Sequence, residues 1–289
     1  MSVAALRGST SIPRTFREPS ALPGFGLTFG FAVSYLSLIV LLPLAVLLAR
    51  AADLGLDGIW RVATTPRVLA ALQVSFFISA AAALVNAVFG SIAAWVLVRY
   101  EFPGKRLLDA AIDLPFALPT AVAGIALAAL YATNGWIGSL FAPWGIKIAF
   151  TPWGILVALI FIGMPFVVRT VQPVLQDLDR EVEEASATLG ASRAQTVFRV
   201  VLPALLPALL TGVALAFARA VGEYGSVIFI AGNMPFVSEI APLLIVTRLE
   251  EFDYAGAAAI AAVMLAISFL ALLAINGLQA YSRRRLGHA

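Results

Sequence analysis

The chain has 289 residues, of which 61% are hydrophobic and 12% charged, about half the charged share of an ordinary soluble domain. A formal net charge of +3 gives no reason to expect nucleic-acid binding, and the lack of cysteine excludes disulfides, thiolate metal sites and thiol nucleophiles. The one histidine, His288, stands beside the C-terminus, so neither a catalytic nor a metal-ligating residue is expected. Apolar runs of 19 residues or more, in place of alternating segments of about ten, point to an all-α membrane protein and not a β-barrel.

In chain order, residues 1–25 carry Arg7, Arg14 and Arg17 with few apolar runs and read as a tail. The apolar run 27–48 is the first predicted span. Ala49-Arg50-Ala51 imitates a signal-cleavage site, but a signal core is only about 7–15 residues, and this run is long enough to cross a bilayer. A second span covers 68–98, with Asn86 near its middle, where an amide either joins two helices or lines a polar path. The basic turn after it contains Gly104-Lys105, which fails as a nucleotide-binding loop: Arg99 occupies the position of the required upstream glycine.

The third span, 110–131, contains Pro115 and Pro119, which are read either as plain kinks, the favoured reading, or as the mark of a moving gate. The fourth, 153–171, is interrupted by Gly163 and Pro165 and closes on Arg169, which reads as a side chain snorkelling to the interface. The fifth covers 203–230 and the sixth 255–278. Between them, 231–254 reads as a short surface helix on an outer rim, and a basic end, 283–289, closes the chain. The six-span body is thus 26–282. With six spans both termini share a side, which would hold 13 Lys and Arg against 5 opposite, so the positive-inside rule places it in the cytoplasm.

The polar interlude 179–203 joins spans 4 and 5. Asp179 is placed to cap a first helix, with Glu181 and Glu183 in its opening turn, where the helix dipole favours negative charge. Gly190 suits a left-handed C-terminal cap, and Ser192 with Gln195 forms a capping box for a second helix, which Pro203 should end or kink. The expectation is a helix, a glycine corner and a second helix. Within span 5, Arg219 and Glu223 are spaced i, i+4, and each is too costly to face lipid, at about 2.5–3.5 kcal/mol on the insertion scale. Two readings stay open for them: a buried ion pair, or, with Tyr224 and Asn86, part of an anion path.

Glu184-Ala185-Ser186, three residues, Gly190, nine residues, then Val200-Val201-Leu202-Pro203 resembles the EAA loop of type I ABC importer permeases. Ser186 replaces the usual Ala and Val200 the usual Ile. In that family the loop is a coupling helix seated on an ATPase, which implies that Glu184, Ala185, Gly190, Val200, Leu202 and Pro203 serve coupling. The stretches 99–124, 164–175, 219–233 and 248–261 resemble the T-type permease of sulfate/thiosulfate importers, a likeness running from about Pro23 to the C-terminus. The resemblance implies a bacterial inner-membrane complex with a homologous W-type permease, two ATPase subunits that carry ATP and magnesium, and an extracytoplasmic binding protein, with no cofactor on this chain. A molybdate or tungstate permease and an ion-coupled secondary transporter are the rival readings. An intramembrane enzyme lacks its motifs.

Overall fold

The computed structural model describes residues 25–285, so the expected tail and His288 lie outside the described residues. All regular structure among them is helical: α1 Phe25–Leu36, α2 Leu42–Ala52, α3 Gly55–Ala63, α4 Pro66–Arg99, α5 Lys105–Ile112, α6 Leu114–Ala117, α7 Thr120–Tyr131, α8 Gly138–Phe141, α9 Pro152–Asp177, α10 Arg180–Thr188, α11 Arg193–Thr196, α12 Leu202–Val221, α13 Val227–Ile230, α14 Ala241–Glu250 and α15 Tyr254–Arg285. Residues through Val46 form a unit of their own, an apolar helix in which no described residue is buried. Leu47 onward forms the second unit.

Among the described residues, five helices are long and apolar enough to cross a membrane: Phe25–Ala52, Pro66–Arg99, Pro152–Asp177, Arg193–Val221 and Tyr254–Gly277. The expected third span is not a single kinked helix but three pieces, α5, α6 and α7. Leu118 is extended (φ −83°, ψ 135°) because the residue before a proline is pushed out of the helical region, and Pro119 then starts α7. The fourth span departs from expectation in the other direction. α9 runs 26 residues without interruption through Pro165 and Pro173, with Thr151 Oγ1 accepting from Trp153 N–H at its start. Helices pack against it on several sides, and Ile155, Val167, Val168, Val171 and Leu175 are among the most buried side chains.

α9 is the central post, packed against α4 and α12, with α7 and α13 closing one flank. Small residues set these approaches. A Cβ at Gly212 would meet Val167 Cα at 2.9 Å, and one at Gly90 would meet Val167 Cβ at 3.0 Å.

The fifth span is also corrected. It ends at Val221 and not at Ile230, and Pro203 does not end the helix that begins at Arg193. Instead Val197–Val201 is a π-turn in which Leu202 N–H donates to Val197 O, one residue beyond the α pattern. Loosening the coil there accommodates the proline ring that follows. The same device occurs at Ser37–Leu41, before Pro43.

The segment 231–254 is not a surface helix throughout. Ala241 and Leu244 of α14 are fully buried, and α14 packs on α15 and α4. Arg67 grips buried Glu239 with two hydrogen bonds of 2.9 and 2.7 Å, and Ala241 N–H donates to Ser75 Oγ at 2.8 Å.

Candidate coupling corner and intramembrane charges

The corner takes its shape from main-chain chemistry. α10 runs to Thr188, and Gly190 adopts φ +83°, a conformation that costs a side-chain-bearing residue roughly 1–2 kcal/mol. Ala191 N–H donates to Ser186 O at 3.1 Å and Gly190 N–H to Ala187 O at 3.0 Å, the paired bonds of a Schellman motif. The capping box also forms: Gln195 N–H donates to Ser192 Oγ and Ser192 N–H to Gln195 Oε1. The Ser186 and Thr196 hydroxyls share a 2.7 Å hydrogen bond that ties α10 to α11.

The Asp179 cap does not form. Asp179 occupies the cap position without a side-chain hydrogen bond. Arg99, at the end of α4, fixes the entry instead, donating to Leu178 O at 3.1 Å and pairing with Glu183 at 2.5 Å. That arginine was not singled out in the sequence, because its partner lies 84 residues away. Of the residues assigned to coupling, Glu184, Ala185 and Gly190 are exposed, while Val200, Leu202 and Pro203 are half-buried where α12 leaves the corner. Leu189, 88% exposed, and Phe198, 67% exposed, give the corner an apolar outer surface.

Arg169 does not snorkel. Its guanidinium holds Asp113 through both oxygens at 2.9 and 2.6 Å, Asp109 Oδ1 at 2.7 Å, Asp109 O at 3.0 Å and Gln172 Oε1 at 2.7 Å. The forked geometry of arginine suits such multiple acceptance. It fastens α5 and the α5–α6 joint to the central post, beside a 490 Å³ polar cavity lined in part by Lys105, Arg106, Asp109 and Gln172. Asp113 and Arg169 each look isolated in sequence, which hides the pair.

Arg219 and Glu223 do pair, at 2.5 Å. Glu223 is buried and also accepts from Ser226 N–H at 2.8 Å and Ser226 Oγ at 3.0 Å, so both carboxylate oxygens are satisfied. The Arg219 side chain keeps 36% exposure. The pair sits where α12 breaks at Gly222, and Gly225 packs so closely on Thr120, the first residue of α7, that a Cβ would run into its hydroxyl. Two helix breaks therefore face each other, and Tyr224 is half-buried in the link.

Asn86 belongs elsewhere. It is fully buried, lies beside Gly163 of α9 and Ala216 of α12, and neither of its amide atoms has a protein hydrogen-bond partner. The expected helix-joining bond is not made.

The architecture is that of ABC importer membrane subunits. A subunit of a bacterial alginate ABC transporter, solved with its alginate pentasaccharide-bound periplasmic protein, superimposes with a TM-score of 0.72 at 15% identity, covering 91% of this chain and 96% of that one. The MetNI methionine ABC transporter matches at TM-score 0.53 and 16% identity, over 76% and 99%. Residues 86–288 match the model of the binding-protein-dependent transport system inner membrane component, and this chain belongs to that family. It is similar to the sulfate transport system permease protein CysT of Synechocystis sp., 55% identical over 87% of this chain and 88% of that one. The Escherichia coli protein of the same name is 52% identical over 92% and 97%. The chain is thus a multi-pass membrane transport permease.

Proposed function

We propose that this chain is one of two permease subunits of an ATP-driven sulfate/thiosulfate importer in the bacterial inner membrane. The observation that carries the reading is identity above 50%, along nearly the whole chain, to several sulfate permeases. These relatives do not favour a molybdate or tungstate cargo. Importing a dianion into a cell that is negative inside costs about 4.6 kcal/mol per 100 mV, twice the single-charge value. No nucleotide loop is expected in this chain, so the energy enters through ATP and magnesium bound on two partner ATPase subunits.

The corner 179–203 is the coupling element. Its exposed Leu189 and Phe198 are suited to burial on an ATPase, and the Arg99–Glu183 pair carries motion into α4. The 13-to-5 basic bias places the corner and both termini in the cytoplasm. The broken unit α5–α7 supplies the sixth crossing. A homologous W-type permease completes the anion path, with the exposed part of Arg219 facing it, and a binding protein delivers the anion from outside.

The test is reconstitution of both permeases with ATPase and binding protein in liposomes. ATP-dependent accumulation of labelled sulfate, competed by thiosulfate, is expected. Accumulation of molybdate in preference to sulfate would overturn the cargo assignment.

A further inference from the structure

A cavity of 980 Å³ lies along the flank shared by α4 and α9. Its wall is made of large apolar side chains, among them Phe76, Phe77, Ile78 and Leu156, with Gln73 and the indole of Trp153 as its polar side chains. Phe77 and Trp153 are exposed, so the groove opens outward from the bundle. α4 and α9 run side by side in the same direction: Gly90 packs on Val167, and Gly163 packs on Asn86. That offset sets Gln73 level with the first turn of α9, at the end of the bundle opposite the corner. From Gln73 to Ala81 the groove follows α4 for about 12 Å, close to the roughly 15 Å of hydrocarbon in one leaflet. The groove is therefore polar at the membrane boundary and apolar below it.

Where helix meets helix in this chain, glycines let the backbones approach, as at Gly90, Gly163 and Gly212. Among the described residues the groove has no glycine on its wall, and its aromatic and branched side chains hold a second helix at a distance. Flexible hydrocarbon follows such a surface where a rigid helix does not. An amide and an indole at the boundary suit the ester and phosphate oxygens of a lipid, while the apolar ring of the tryptophan faces its chains. We infer that the groove is a binding site for a diacyl phospholipid of the leaflet opposite the corner. Its chains lie against Phe76, Phe77 and Leu156, and its glycerol-ester region lies at Gln73 and Trp153. The volume is at the upper end of the range for sites that enclose an organic ligand, about 300–1,000 Å³. The inference needs only that the chain crosses a membrane, and neither the cargo nor the ATPase enters it.

The test puts the photoreactive p-benzoylphenylalanine in place of Phe77 and, separately, in place of Phe269 on the exposed face of α15, in the assembled complex. The complex is supplied with dioleoylphosphatidylcholine, washed by repeated detergent exchange and irradiated, and this chain is weighed by mass spectrometry. An adduct of lipid mass is expected about tenfold more often at 77 than at 269, because only a seated lipid survives the wash. Equal yields at the two positions, including none at either, would overturn the inference. An adduct joining position 77 to another subunit would also overturn it and make the groove a protein interface. Gln73→Leu keeps the bulk of the wall but removes the hydrogen bond, so retained lipid phosphorus should be lost about fivefold faster. Loss at the wild-type rate would refute the placement of the ester region at Gln73. Both readouts are independent of transport, so a complex that fails to accumulate sulfate would count against the cargo assignment alone.

Discussion

At the residue scale, the exposed Gly190 and the half-buried Arg169 make opposite demands on substitution. A Cβ at Gly190 meets nothing within 4 Å, so its sensitivity comes from φ +83° and not from crowding. Gly190→Val should leave membrane insertion intact and cost roughly 1–3 kcal/mol of local backbone strain, which the corner relieves by changing shape. ATP hydrolysis that no longer responds to binding protein, with the complex still co-purifying, is the expected result. Gly190→Asn should be milder, since Asn tolerates the left-handed region. Arg169→Lys keeps the charge but loses the fork that holds Asp113 and Asp109 together. It should release α5 from α9, seen as faster proteolysis at 101–113, whereas unchanged cleavage would argue that the hub is dispensable. Neutralising Arg219 as Gln leaves buried Glu223 with only its Ser226 bonds. If Arg219 serves the path, uptake should fall more than complex yield; equal losses would mean that its role is that of a structural partner.

At the element scale, local chemistry was legible in the sequence and long-range pairing was not. The glycine corner and the Ser192–Gln195 box follow from residues at most five positions apart, and both form. Proline was harder to read. Pro119 broke span 3 because Leu118 could become extended, while Pro165 was absorbed because α9 is clasped on several sides. Pro203 was absorbed by a third route, the π-turn. The sequence around each proline is equally apolar, so only the packing separates these outcomes. Asp109, Asp113, Glu183 and Glu239 each find an arginine 56 to 172 residues away, which no local pattern encodes. The π-turn carries its own expectation. It inserts about one extra residue into the coil and offsets the face of the corner from that of α12 by roughly 100°. Deleting one residue from 197–201 should turn the corner relative to the span, and assembly with the ATPase should be lost while insertion persists.

At the scale of the whole molecule, the proposed sidedness is open to direct measurement. Leu189→Cys at the corner and Trp136→Cys at the opposite end of the bundle place single thiols on side chains 88% and 87% exposed. An impermeant maleimide should label Trp136→Cys in intact cells and Leu189→Cys only in inverted vesicles. The reverse pattern would turn the topology over. The fold class was visible in composition and run length, and five of the six expected spans have a helix long enough to cross a membrane among the described residues. The division of labour inside the body was not visible, because α9, one apolar segment among several, becomes the central post only through what packs around it.

The corner has a further consequence for heredity. Its turn is held by main-chain bonds, Leu189 N–H to Ala185 O, Gly190 N–H to Ala187 O and Ala191 N–H to Ser186 O, and these do not depend on the identity of the outward side chains. Val182, Leu189 and Phe198 can therefore be exchanged by point mutation while the turn itself persists. A duplicated transporter could acquire a different ATPase by drift on those few positions, with Gly190 as the fixed point about which the pairing diverges.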